Sequence, residues 1–406
     1  MGPALPNYFC GIVRFINGGP VGDHMDTFFC MAGHWHGDLL ALQPSPQRVC
    51  ASQSFHRQRV MAPRSFIQSL PKAELHLHLE GCVDPATLAE LSRRYNTPLP
   101  TENKHYDVTG SGDVLTEDDV RRLYSYRDFN GFLMAFKSVT ERLRSPEDYE
   151  LVTYRLMQKL RQQNIVHAEV YVSIGVIRWR GHPVEPIFDG MERGRERGQR
   201  DFGVSLLWIF DAVRNFGKEA AAEVFDLAAR LRERNVVGIG IGGDEARGPA
   251  EWFRDLYKKA AGNGLRLTAH AGETTGPESV WGALNIGAER IGHGLSAASD
   301  PELMEVMAQK QVPVELCITS NLRTGACAEL KEHPVRKFFD EGLMVTLNSD
   351  DPAMFQTSLN KEYEIAQQEF NFSEEHLREL ARNSIEASFL PVERKLKLLS
   401  QIDFLV

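Results

Sequence analysis

Four short stretches of this chain carry groups that could bind a metal and move protons. The first is His76-Leu77-His78. On an extended strand, residues two apart share a face, so both imidazoles project the same way. The others are His270-Ala271-Gly272-Glu273, Gly292-His293-Gly294 and Asn348-Ser349-Asp350-Asp351-Pro352. A lone H-x-H is often a packed or solvated pair, and a single buried histidine is usually structural. Four histidines and paired acids at four strand ends are hard to explain as packing. Three neutral imidazoles with one carboxylate form a borderline-hard N/O set that suits Zn²⁺ and leaves a position for water. Bound to metal, water reaches a pKa of about 7 and becomes a nucleophile at neutral pH. Its attack also needs an acid, and Glu273, three residues beyond a histidine, is placed to supply one.

Something must bring these stretches together. Eight apolar, β-branched runs read as strands: Ala73–Leu79, Ile165–Ser173, Val204–Val213, Val236–Ile241, Leu265–His270, Arg290–His293, Pro313–Ile318 and Leu343–Leu347. Helical stretches lie between them. Asp84-Pro85 and Asp300-Pro301 each pair an N-cap with proline at the first helical position. Gly264 and Gly342 stand where a helix stops before the next strand. Strand–helix alternation repeated eight times predicts an α/β fold, a (β/α)₈ TIM barrel, whose active sites sit at the C-terminal ends of the strands. The connection over residues 80–164 is too long for one crossover. It predicts a helical insertion, with helices over Asp84–Tyr95, Thr116–Phe136 and Pro146–Gln163, able to cover the barrel mouth. Ser373–Arg382 and Pro391–Ser400 read as extra C-terminal helices.

The chain has 406 residues, 42% hydrophobic and 25% charged, and a net charge of −9 with no basic block, which argues against nucleic-acid binding. No run approaches the roughly 18 apolar residues of a membrane span. The six cysteines form no C-x-x-C pair, which fits a reducing cytoplasm. Residues 1–60 mix Gly, Pro, His and aromatics without period. They read as a disordered extension or a misassigned start, with one domain over 61–406. His34 and His36 lie there in no strand pattern and are read as chance.

Lys72-Ala73-Glu74-Leu75-His76-Leu77-His78-Leu79-Glu80-Gly81, His270-Ala271-Gly272-Glu273, Gly292-His293-Gly294, Thr319-Ser320-Asn321 and Asn348-Ser349-Asp350-Asp351-Pro352 together resemble the adenosine/adenine deaminase family. They occur in that family's order, and the resemblance spans roughly residues 66–395. It implies the barrel fold and one catalytic zinc per chain, held by His76, His78, His270 and Asp350. Glu273 would protonate the purine N1, and His293 would orient and help deprotonate the attacking water. Asp351 would bond N7, and the Gly243 backbone N–H, in Gly242-Gly243-Asp244-Glu245, would reach N3. The signature differs from that of cysteine-ligated nucleobase deaminases.

The implied reaction is hydrolytic removal of the 6-amino group of adenosine or a close analogue, a small purine nucleoside or base; oligomeric state stays open. Glu80 stands where adenosine deaminases usually carry Asp, at the residue addressing the ribose 5′ side. Adenine deaminases, and some deaminases of 5′-modified adenosines such as aminodeoxyfutalosine, carry Glu there. Ile318 replaces a proline often found in the Cys-Pro-x-Ser-Asn pattern. Arg178 and Arg180 follow strand two and Arg323 follows strand seven. They are either solvated loop charges or contacts for a carboxylate or phosphate on the substrate. A two-metal barrel amidohydrolase ranks lower, because no lysine sits inward near a strand end. A non-catalytic purine-binding relative is disfavoured by the complete set of metal, acid and orienting groups.

Overall fold

The computed structural model describes residues 65–97, 115–126 and 129–404. The expected extension over residues 1–60, with His34 and His36, lies outside them. Residues Ala62–Val406 form one compact unit.

Eight strands run in sequence order around a single parallel sheet: β1 Lys72–His78, β2 Ile165–Val172, β3 Ser205–Val213, β4 Val236–Gly242, β5 Arg266–Ala271, β6 Arg290–His293, β7 Val314–Leu316 and β8 Val345–Leu347. All are almost wholly buried, as expected of strands covered on both faces. The ring is joined between the first and last strands by Asp350. Its N–H donates to the His76 carbonyl at 3.1 Å, and its carbonyl accepts from the His78 N–H at 2.9 Å. The residue expected to hold a metal thus also links β8's end to β1. This is a (β/α)₈ TIM barrel.

The expected starts are present. Asp84 accepts from the Thr87 N–H at 2.7 Å ahead of helix Pro85–Tyr95, and Asp300 accepts from Leu303 at 3.1 Å ahead of Pro301–Lys310. Two expectations need correction. Strand seven ends at Leu316, and Ile318 opens helix Ile318–Thr324, because buried Glu362 receives the Thr319 N–H at 3.1 Å and caps the turn. The single helix expected over Thr116–Phe136 is two, Glu117–Leu123 and Phe129–Thr140. Between them the Tyr124 carbonyl accepts from both Arg323 Nη2 and Gln356 Nε2, each at 2.9 Å. Tyr126 donates to the Met354 carbonyl at 3.1 Å, and Phe132 stacks on Phe355 with ring centroids 5.0 Å apart. The insertion is therefore stapled to the loops after β7 and β8. After β8 the chain adds helices Leu359–Glu369, Glu374–Glu386 and Val392–Asp403. Among the described residues no helix is long and apolar enough to cross a membrane.

Candidate active site

His76 and His78 at the end of β1 meet His270 near the end of β5. Their nitrogens lie within 4.8 Å of one another. His78 Nε2 and His270 Nε2 are 3.3 Å apart. Asp350 Oδ1 lies 3.4 Å from His78 Nε2 and 3.6 Å from His76 Nε2. The far side of two rings is occupied. His76 Nδ1 meets Glu315 Oε2 at 2.8 Å, and His270 Nδ1 meets the Ile241 carbonyl at 3.2 Å. A carbonyl only accepts, so His270 Nδ1 carries the proton and its Nε2 is bare. His76 Nε2 is buried with no hydrogen-bond partner. Burial and repulsion from neighbouring histidines hold His76 and His270 well below the usual range, and burial lowers His78. Bare nitrogens converging beside a carboxylate fit a divalent transition metal, with outer carboxylate and carbonyl groups setting the ring orientation. Cys317 lies within the same distance of His76 and Asp350. Burial and the surrounding carboxylates push its thiol well up, so it is a poor donor beside three imidazoles.

Two residues here have left-handed backbone, His293 at φ 63° and Asp350 at φ 62°. Every other non-glycine residue with positive φ among those described is Asn or Gln. Such conformations persist only where the surroundings over-determine them, and they gather at functional sites. Close approach also demands glycine: a Cβ on Gly292 would lie 2.7 Å from the His76 ring.

Glu273 faces His293 across 3.6 Å, Oε2 to Nε2, and is within 3.4 Å of the Thr324 hydroxyl. Burial pushes Glu273 up, with Asp350 and Glu245 adding to it against His293. Burial opposes a proton on His293, but the carboxylates of Glu273, Asp350 and others raise it. Asp351 is buried, with Oδ1 unpartnered, and burial beside Asp350 and Glu80 pushes it well up. Glu80 accepts from the Ser173 N–H at 3.0 Å through Oε1, while Oε2 is buried without a partner. Burial raises Glu80 to about 7. Gly243 follows β4 at φ 94°. These residues occupy the one mouth that their motifs predict.

The two arginines have other contacts. Arg178 pairs with Glu223 on the surface, and Arg323 donates to the Tyr124 carbonyl with its guanidinium 4.5 Å above the Tyr126 ring. Arg180 donates to Thr140 Oγ1 at 2.8 Å.

Several groups escaped the sequence reading. Glu245 gathers the loop that carries Glu273. It accepts from the N–H groups of Gly272, Glu273 and Thr274 at 2.7–2.9 Å, and from the hydroxyls of Thr274, Thr275 and Ser279. Burial opposes its charge, but these donors outweigh it and hold Glu245 low. Ser320 donates to Asp350 Oδ2 at 2.6 Å. Asp211 on β3 is buried, with Oδ1 unpartnered, and burial raises it to about 8. It fits because Gly240 has no side chain: a Cβ there would lie 2.8 Å from Asp211 Oδ1. Glu315 and Asp211 left a signal, a charge inside an apolar strand. Glu245 closes Gly242-Gly243-Asp244-Glu245, where nothing local marks it as the anchor of a loop thirty residues on. A cavity of about 510 Å³ beside helix Pro146–Gln162 touches none of the chemistry-bearing residues named above.

A parallel barrel with a histidine–aspartate cluster and a facing carboxyl at its mouth defines a metal-dependent hydrolase of the amidohydrolase type. The adenosine deaminase family model matches residues 71–405. An aminodeoxyfutalosine deaminase of Streptomyces avermitilis is 40% identical over 343 residues, covering 84% of this chain and 92% of its own. An adenine deaminase from Arthrobacter aurescens superposes with a TM-score of 0.75 at 31% identity, over 82% of this chain and 98% of its own. A zinc-bound amidohydrolase from Burkholderia ambifaria superposes at 0.73 with 25% identity, over 85% and 95%. The chain belongs to the adenosine deaminase family, and it is a hydrolytic deaminase.

Proposed function

We propose that this enzyme hydrolyses the 6-amino group of an adenine nucleoside, with zinc held by His76, His78, His270 and Asp350. The observation that carries this reading is the convergence of bare histidine nitrogens on Asp350, with Glu273 facing the same space. When bound, zinc supplies a Lewis acid that makes water nucleophilic near neutral pH. The protein's own groups do the rest. Glu273, raised by burial, gives its proton to ring N1 and makes C6 electrophilic. His293 orients the water. Asp351 and the Gly243 N–H hold N7 and N3, so donors meet the ring where charge builds. A C6–O bond forms as one water proton restores Glu273; the other passes to the amino nitrogen as the C6–N bond breaks, so ammonia leaves and a 6-oxopurine remains.

The family resemblance points first to adenosine. Relatives 40% and 38% identical are aminodeoxyfutalosine deaminases, which favours a nucleoside modified on the 5′ side. Glu80, with one oxygen unpartnered, suits a contact to that side. Arg178 is ion-paired with Glu223, which argues against its meeting an anionic 5′ group, whereas Arg323 bonds the neutral Tyr124 carbonyl and keeps its charge. The second reading is free adenine, on which relatives at 34% identity act. Ammonia release from aminodeoxyfutalosine, adenosine and adenine by the zinc-loaded protein tests the proposal. The highest kcat/KM is expected for aminodeoxyfutalosine, and no release from any of the three would refute it.

A further inference from the structure

Behind the His293 ring runs a buried line of polar groups. Asn321 Nδ2 is 3.0 Å from His293 Nδ1, and Asn321 Oδ1 is 3.0 Å from His333 Nε2. The other nitrogen of His333, Nδ1, is 3.3 Å from the backbone N–H of Val335. All three side chains are buried, His333 the most exposed at 3%.

The line has a direction, set by its one unambiguous member. A backbone N–H only donates, so His333 Nδ1 accepts and the neutral ring carries its proton on Nε2. Burial lowers His333 to about 3, so the ring stays neutral. Its Nε2–H donates to Asn321 Oδ1, which turns the amide NH₂ toward His293. An NH₂ group only donates, so His293 Nδ1 accepts. The neutral His293 ring then holds its proton on Nε2, the nitrogen that faces Glu273. The reverse polarity would set two buried donors against each other at Val335.

We propose that His333 and Asn321 are positioning residues that fix the tautomer of His293, so that its site-facing nitrogen is an N–H donor. Resting on the deaminase reading above, this makes His293 a donor to the oxygen of the incoming water. It aligns that water, and the proton the water sheds goes to Glu273, replacing the one Glu273 gives to N1.

Three substitutions separate this from a packing role. Asn321→Asp keeps the shape but replaces NH₂ with a carboxylate oxygen, which calls for a proton on His293 Nδ1 and strips Nε2. His333→Glu replaces the donor with an acceptor and turns the amide round. His333→Gln restores a donor near the Nε2 position. The first measurement is the ¹⁵N spectrum of zinc-loaded protein labelled only at histidine, with His293 assigned by its loss in His293→Ala. Wild type should show a bare Nδ1 and a protonated Nε2, and Asn321→Asp should exchange them. In kinetics, Asn321→Asp and His333→Glu should lower kcat by about tenfold or more with KM changed less than about threefold, while His333→Gln stays within about threefold of wild type. A bare Nε2 in wild type, an unchanged tautomer in folded Asn321→Asp, or equal losses in His333→Gln and His333→Glu would overturn the proposal. The spectrum needs no substrate, so inactivity on every adenine derivative would sink the deaminase reading and leave the tautomer assignment standing.

Discussion

Two buried polar clusters share the inside of this barrel and are built on opposite terms. Near the start of β6, Arg290 lies between two carboxylates. Its Nη1 bonds Glu169, and its Nε lies 2.6 Å from Glu315 Oε1, an ion pair whose N–H is not aligned for a hydrogen bond. Glu169 also meets His167 Nε2 at 3.3 Å and the Phe389 N–H. Burial works against Glu169's charge, but Arg290 and these hydrogen bonds hold it down at about 2. At the mouth the opposite holds. His76 Nε2, Glu80 Oε2, Asp211 Oδ1 and Asp351 Oδ1 are buried with no partner. Each such atom costs about 1–3 kcal/mol. A fold tolerates that cost where a ligand completes the bonding, so the charge-paired floor, where even the unbonded Arg290 Nε and Glu315 Oε1 face each other as an ion pair, serves stability and the unpaired mouth serves chemistry. His76 joins the two, with Nδ1 on Glu315 and Nε2 on the mouth.

This contrast can be broken from either side, and the largest effect belongs to the mouth. His78→Ala or Asp350→Ala should abolish metal binding and deamination together. The folded state should persist, with a circular dichroism spectrum like that of metal-free wild type, because the floor is untouched. Elemental analysis showing a full metal equivalent in an active variant would end the assignment.

The floor should answer in stability. Glu169→Ala leaves the Arg290 cation buried with one partner fewer and should cost about 3–5 kcal/mol in urea unfolding. Turnover by the folded fraction should hold within about threefold. The pH dependence follows from the depressed Glu169. Its folded value of about 2 lies below the 4.5 of a free glutamate, so the unfolded chain binds more protons between them. The pair's contribution is whole above 4.5 and drains away as pH falls toward 2. Glu169→Gln should flatten that acid limb; a limb as steep as wild type would place the acid sensitivity elsewhere.

Glu273→Gln reverses the pattern. Stability should be unchanged, since a raised, buried carboxyl becomes an amide of the same shape. Turnover should drop by about 10²-fold or more with KM little changed. An unaltered kcat would remove Glu273 from the reaction.

Much of this was legible before the fold. The eight strands lie within two residues of their apolar runs, because burial on both faces leaves an unbroken signal. Strand-end polar residues inside such runs announce a barrel mouth. The break at Tyr124–Tyr126 left no local trace, since it is made by Arg323 and Gln356, about two hundred residues away. Arg178 and Arg323 read ambiguously because a strand-end cation has the same pattern whether its partner is a substrate or a neighbouring element. His333 carried no signal; only the fold brings it behind His293.

The smallest effect is the most useful for substrate. Glu80 spans both kinds of cluster, with Oε1 satisfied by the Ser173 N–H and Oε2 left bare. Glu80→Gln keeps an acceptor for Ser173 and removes a buried acid, so stability should hold or rise by on the order of 1 kcal/mol. If the bare oxygen meets the ribose side, the same change should raise KM for nucleosides about tenfold, the loss of one charge-assisted contact. Free adenine has no ribose to lose, so its KM should not move. A matching rise for adenine would place Glu80 against the base, and adenine would then become the better substrate assignment. Unchanged KM for all three compounds would return Glu80 to the floor's category, a carboxyl held for the fold.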